Sequence, residues 1–151
     1  MPLEAGDPAP DVSAPNQDGE PTTLPTDGPT VVYFYPRDGT SGCTTEARQF
    51  QAELDSYRET GVAIYGVSTD SVDSHRDFCD DQGLEFDLLA DPDAELAEAF
   101  GVDASNGAAS RTTVVLLDDE VWRVYEDVSP DGHAREVLGD LLDAGVVNLP
   151  E

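Results

Sequence analysis

The chain has 151 residues, 33 of them Asp or Glu and 7 Arg, with no lysine, for a formal net charge of −26. Such acidity argues against nucleic-acid partners and anionic membrane surfaces, and no apolar run approaches the ~20 residues of a membrane span. The length suits one domain, residues 1–151, with a buried core.

In chain order, "APDVSAPNQDGEPTTL" reads as two short strands around an "NQDG" turn. "TVVYFYP" is a continuous apolar run, expected as a buried central strand that Pro36 ends. Residues 43–58 are predicted as a helix. Cys43, Ala47, Phe50, Leu54 and Tyr57 fall at offsets 0, 4, 7, 11 and 14, one narrow stripe at ~100° per residue. "VAIYGVSTDS" is the next strand, with Asp70–Ser71 as cap of the helix "VDSHRDFCDDQG", which Gly83 ends. "LLADPDAELAEAFG" supplies a short strand and a small helix, with Asp91 as its cap and Pro92 at its first position. "RTTVVLLDDEVWRVYED" reads as a hairpin with an Asp-Asp-Glu turn, and "SPDGHAREVLGDLLDAG" as a closing amphipathic helix with His133 facing solvent. This order predicts an α/β, thioredoxin-like three-layer sandwich, a central mixed sheet flanked by helices and preceded by an N-terminal β-hairpin.

The start, "MPLEAGDPAPD", is acidic and lacks an apolar core, so no secretory leader is expected and the cytoplasm is the default location. Acidic residues spread along the whole chain instead of gathering in a tail. That pattern suits a halophilic protein, because in molar salt the Debye length shrinks to ~3 Å and self-repulsion is screened.

The two cysteines, Cys43 and Cys79, carry the chemical question. Cys43 falls in the first turn of its helix, where unpaired N–H groups and the macrodipole favour a thiolate. A cysteine on an apolar helix stripe is also often a small buried hydrophobe. The loop ahead of it adds the Thr40 hydroxyl, with Gly39 and Gly42 permitting close backbone approach. A loop hydroxyl and free N–H groups beside a thiolate suit a small polar substrate with two oxygens.

"YPRDGTSGCTTEA" resembles the peroxiredoxin active-site pattern Pro-x-x-x-Thr-x-x-Cys, filled by Pro36, Thr40 and Cys43. The wording around it is similar to the bacterioferritin comigratory protein, or peroxiredoxin Q, branch. The likeness continues through "VVYFYP", "YGVSTDS", "LLADP" and "RTTVVLLD". It departs at Ser41, where the family usually has proline, and in a shorter segment between Phe100 and Arg111.

The resemblance implies a thiol peroxidase acting on hydrogen peroxide and alkyl hydroperoxides without metal, flavin or haem. Cys43 is then the peroxidatic nucleophile. Arg111, before its Thr-rich strand, and Thr40 stabilise charge on the departing oxygen, while Pro36 rigidifies the loop and shields the thiolate. By the same count of ~100° per residue, Glu46 falls beside Cys43 on the helix, placed to orient the arginine. One branch keeps a resolving cysteine five residues on, where this chain has Arg48. Another places it on the following helix, and Cys79, 36 residues after Cys43, maps there. Asp80 and Asp81 oppose the dipole at that helix's C-terminus and predict easy fraying. The resemblance further implies recycling by thioredoxin or a similar dithiol and a mostly monomeric state, with dimers also found.

Other classes stay open. If Cys79 is structural, an external thiol resolves the enzyme. Cys43, Cys79, His75 and His133 are candidate metal ligands, His75 and Cys79 being one helical turn apart. A Cys-x-x-Cys reductase is excluded by "CTTE", whereas a non-catalytic redox sensor fits the same residues.

Overall fold

A computed structural model describes residues 3–104, 107–126 and 128–147. Asp127, the last residue of the predicted hairpin, and both ends of the 1–151 unit lie outside the described residues. Strand β1 (Ser13–Pro15) pairs antiparallel with β2 (Pro21–Thr23). Asn16 shapes their turn, its Oδ1 accepting the N–H groups of Asp18 (2.9 Å) and Glu20 (3.0 Å). The chain then enters β3 (Thr30–Phe34), α1 (Ser41–Ala52), α2 (Leu54–Glu59), β4 (Ala63–Ser68), α3 (Val72–Gln82) and β5 (Asp87–Ala90). It closes with α4 (Glu95–Phe100), β6 (Thr112–Leu117), β7 (Glu120–Tyr125) and α5 (His133–Asp143).

The main sheet has the order β5-β4-β3-β6-β7, with β4 and β5 parallel to β3 and β6 antiparallel to it. All five residues of β3 are buried, as its unbroken apolar run predicts. Two successive parallel crossovers carry α1–α2 and α3 onto one face, the geometry expected of right-handed connections made in the same direction. That face joins Val31, Tyr33 and Tyr35 of β3 and its extension to Cys43, Phe50, Tyr57, Phe78 and Cys79, with α5 completing the layer. The opposite face packs Val32, Phe34 and Val114 against α4 and the N-terminal hairpin. This is the predicted thioredoxin-like sandwich with its hairpin. Tyr33 lies flat beneath α1, its ring stacked on Phe50 at 4.5 Å. Gly66 makes room, since a Cβ there would come within 2.9 Å of the Tyr33 hydroxyl. No helix among the described residues is long and apolar enough to cross a membrane.

Four sequence expectations need correction. The 43–58 helix is two helices, starting earlier at Ser41 and loosening at Glu53 (φ −94°, ψ 2°). The apolar stripe survives because backbone bonding runs through the break, Glu53 N–H to Gln49 and Tyr57 N–H to Glu53. Cys43, Ala47, Phe50, Leu54 and Tyr57 are accordingly all buried. The small helix α4 begins at Glu95, not Pro92, because Asp91 to Ala94 first make a turn with Ala94 at φ 57°. Asp91 still caps it, accepting the N–H groups of Leu96 and Ala97, both at 3.0 Å. The hairpin turn is the two residues Asp118 and Asp119, both at positive φ, with Glu120 already in β7. That conformation matches the right-handed strand twist. Finally, His133 is buried, only 3% exposed. Its Nε2 lies 2.8 Å from the Thr113 hydroxyl, and its ring meets Phe50 and Tyr125 edge-on.

Candidate active site

The register of β3 builds the site. Phe34, at the end of β3, pairs with Val67 on one side and Thr112 on the other. The chain beyond Phe34, the chain beyond β4 and the residue before β6 therefore meet at one sheet end. That residue is Arg111. Tyr35 N–H still bonds the Val67 carbonyl at 3.0 Å, and Pro36, with no N–H, ends the ladder. The loop then turns through Gly39 (φ 81°), and Thr40, extended at φ −76° and ψ 154°, is the N-cap residue of α1.

Cys43 is the third residue of α1, and Thr44 N–H is bonded back to the Thr40 carbonyl at 2.9 Å. The N–H groups of the first turn have no place in the helical ladder and face the loop. Cys43 is 1% exposed. Arg111 Nη2 donates to its sulfur at 3.5 Å, while Nη1 of the same guanidinium donates to Glu46 Oε1 at 2.8 Å. A Cβ at position 42 would stand 3.2 Å from Arg111 Nη2 and 3.5 Å from Pro130 Cγ, so Gly42 is what lets the cation reach the helix mouth.

Glu46 is wholly buried and its Oε2 has no hydrogen-bond partner. Burial pushes its carboxyl up to about 7, against the opposing charge and hydrogen bond of Arg111. For Arg111, burial works to lower the guanidinium, but the Cys43 hydrogen bond and the Glu46 charge leave it raised. The pair is thus an arginine that stays charged and a carboxyl whose burial outweighs the pull of its partner. Thr40 is exposed and its hydroxyl donates inside the loop, to the Arg37 carbonyl at 3.1 Å. Pro36 is half-buried.

Cys79 lies on α3, buried in the same apolar layer as Cys43, and both are free thiols. Helix α1 packs mainly on α5, and α3 on β5. Burial first, then the charges of Asp38, Asp80, Asp87 and Asp18, push the Cys79 thiol up to about 12. Arg48 is exposed on α1. His75, Cys43, Cys79 and His133 do not converge. The one set of three such ligand atoms within 4.8 Å among the described residues is Asp38, Asp70 and His75. Of that set the sequence offers only His75 as a metal-ligand candidate, and nothing in the spacing brings Asp38 and Asp70 to it.

The sequence model of the AhpC/TSA family matches residues 5–124. The chain belongs to the AhpC/TSA family, in its peroxiredoxin Q branch. Peroxiredoxin Bcp of Escherichia coli is 37% identical over 153 aligned positions, covering 94% of this chain and 97% of that protein. The Xanthomonas campestris bacterioferritin comigratory protein, solved in work on its alkyl peroxide reduction activity, superposes with a TM-score of 0.85. It is 35% identical over 95% of this chain and 99% of its own. Two structures of Xanthomonas campestris peroxiredoxin Q, each 35% identical, carry serine at one or the other of two cysteines (TM-scores 0.85 and 0.84; 95% and 94% of this chain, 99% of theirs). Those two positions stand 36 residues apart, as do Cys43 and Cys79.

Proposed function

We propose that this family member is a thiol peroxidase that reduces hydrogen peroxide and alkyl hydroperoxides at Cys43. The single observation that carries the reading is Arg111, whose guanidinium touches the Cys43 sulfur and the Glu46 carboxylate at once. A thiolate at Cys43 attacks the terminal peroxide oxygen and the O–O bond breaks. The electron pair leaves with the second oxygen, which takes up a proton as water or alcohol, and Cys43 is left as a sulfenic acid. Arg111 and the first-turn N–H groups meet the charge on the departing oxygen, a preset donor being worth ~3 kcal/mol. Thr40 serves the same substrate once its hydroxyl turns from Arg37, Pro36 shields the loop, and Glu46 holds Arg111 in place.

Cys79 then attacks the oxidised sulfur, a disulfide forms and water leaves. A thioredoxin-like dithiol restores both thiols with two electrons and two protons. A disulfide needs Cα atoms within ~7 Å, and a thiol as deeply held as Cys79 must first leave its pocket, so α3 opens locally before resolution. That same burial favours a second reading, a one-thiol cycle in which Cys79 is structural and an external thiol resolves Cys43. The enzyme works in the cytoplasm, by family resemblance mostly as a monomer with dimers also found in its branch, and its acidic surface suits concentrated salt.

Peroxide consumption with a dithiol reductant, lost in Cys43→Ser, tests the peroxidase. Peptide mapping of peroxide-treated protein separates the two cycles: a Cys43–Cys79 cross-link supports the two-thiol reading, and its absence defeats it.

A further inference from the structure

Beside the Cys43 centre lies a second buried polar cluster that the peroxidase chemistry does not use directly. Asp38, in the loop between β3 and α1, is its hub. Its Oδ1 accepts the Tyr35 hydroxyl at 2.6 Å, and its Oδ2 accepts the Ser74 hydroxyl at 2.9 Å and faces His75 Nδ1 at 2.7 Å. The Asp38 N–H donates to Asp70 Oδ2 at 2.7 Å, and the same oxygen accepts from Ser68. His75 is fully buried, and its other ring nitrogen, Nε2, lies 3.0 Å from the Leu89 carbonyl. Both nitrogens thus face acceptors. Nδ1 also lies 3.4 Å from the Tyr35 hydroxyl, so the ring is held at both ends. Burial works to raise the Asp38 carboxyl, but the hydrogen bond and charge of His75, with Tyr35 and Ser74, hold it below the usual range.

The placement gives the pair its consequence. Asp38 precedes Cys43 by five residues, and His75 precedes Cys79 by four, one turn up the same face of α3. We propose that Asp38 and His75 are positioning residues, a hydrogen-bonded pair that clasps the loop leading to Cys43 onto the first turns of the helix carrying Cys79. This rests on the two-thiol reading above. The clasp keeps the loop N–H groups and Cys43 in register with Arg111 while α3 is folded. It also stops unwinding of α3 at His75, so that only the turn beyond it opens to release Cys79. Small displacements in such a centre are costly, because attack needs reacting atoms held to within a fraction of an ångström.

The test is rapid-quench oxidation of the reduced full-length protein with hydrogen peroxide. Sulfenic acid and disulfide are counted separately in wild type, Asp38→Asn, His75→Gln and the double variant. Each single change is expected to slow Cys43 oxidation about tenfold, with conversion of sulfenic acid to disulfide unchanged or faster. The double variant should lose no more than about twofold further, since partners in one interaction are not additive. Folded single variants that oxidise at the wild-type rate, or that are slow in both steps, overturn the clasp, as does a double loss equal to the product of the singles. Imidazole nitrogen resonances of reduced wild type at neutral pH supply the measurement that needs no variant. A His75 ring proton that faces Asp38 and persists against exchange with solvent supports the pair, and a ring whose protons exchange freely overturns it. Wild type that forms no sulfenic acid defeats the proposed function itself, and wild type that forms sulfenic acid but no disulfide defeats the two-thiol cycle.

Discussion

Arg111 Nη2 lies 3.5 Å from the Cys43 sulfur, although the two residues are 68 positions apart in the chain. The antiparallel register of β6 on β3 closes that gap, ending at the pair Phe34 and Thr112. One side chain therefore serves the thiol and the Glu46 carboxylate together, and its removal should be felt at both.

Arg111→Gln is expected to lower the second-order rate of Cys43 oxidation by ~100-fold or more, the loss typical of a preset charge-stabilising donor. It also leaves Glu46 buried without its cation, which costs ~3–5 kcal/mol while the carboxylate stays charged. Chemical denaturation should therefore show the variant recovering stability as pH falls and Glu46 takes a proton. An oxidation rate within twofold of wild type would remove Arg111 from the centre.

Glu46 also makes a pH prediction of its own. Its carboxyl is raised from 4.5 to about 7 in the folded protein, so between those values the folded state binds the extra proton. Its contribution to stability is fully present below pH 4.5 and is lost as pH rises through about 7. Glu46→Gln cannot titrate. The stability of wild type minus that of the variant should fall across this window, and a flat difference would show the carboxyl to be unshifted.

The two-thiol cycle proposed above requires the end of α3 to open and release Cys79. Gly83 caps the helix at φ 64°, and a Cβ there would meet nothing within 4 Å, so backbone conformation is the whole cost of a side chain. Gly83→Ala should weaken this end by ~1 kcal/mol. Amide exchange in residues 80–83 should quicken several-fold, and so should disulfide formation after peroxide, with Cys43 oxidation itself unaltered. Faster exchange without faster disulfide formation would mean that opening of this end does not limit resolution.

Ser41 is the first residue of α1 and lies where the family pattern usually has proline. The preceding Thr40 already has the extended conformation that a following proline requires, and the first helical position suits proline. The Thr45 hydroxyl bonds the Ser41 carbonyl, which the substitution keeps. Ser41→Pro should stabilise the protein by ~0.4–1 kcal/mol through the unfolded state, read as a higher midpoint in urea. A lower midpoint would contradict this account of the loop.

With a net charge of −26, self-repulsion should be screened as the Debye length falls from ~10 Å at 0.1 M salt to ~3 Å at 1 M. The thermal midpoint should rise steeply between those concentrations. Full stability at very low salt would refute the halophilic reading.

Periodicity and turn chemistry determined a good part of this protein without its fold. The stripe from Cys43 to Tyr57, the cap at Ser71, the αL end at Gly83 and the unbroken β3 run are local consequences of helix and strand geometry, and each stands in the structure. Glu46 fell beside Cys43 by simple angle counting. Arg111 was reached only through the likeness of its segment to a known pattern, because spacing within a chain carries no information about which strand lies beside which. The tertiary structure alone decided three matters. It turned His133 inward against Thr113 and Phe50, because α5 packs its first turn onto β6 and α1 instead of presenting it to solvent. It left the Glu46 Oε2 buried and unpartnered, which sets that carboxyl's titration. And it joined Asp38 to His75, 37 residues apart, because parallel pairing of β3 with β4 sets the loops that follow them side by side. A sequence read along one dimension shows which face of an element is apolar; only the packed sheet determines what that face, or the loop beyond it, will meet.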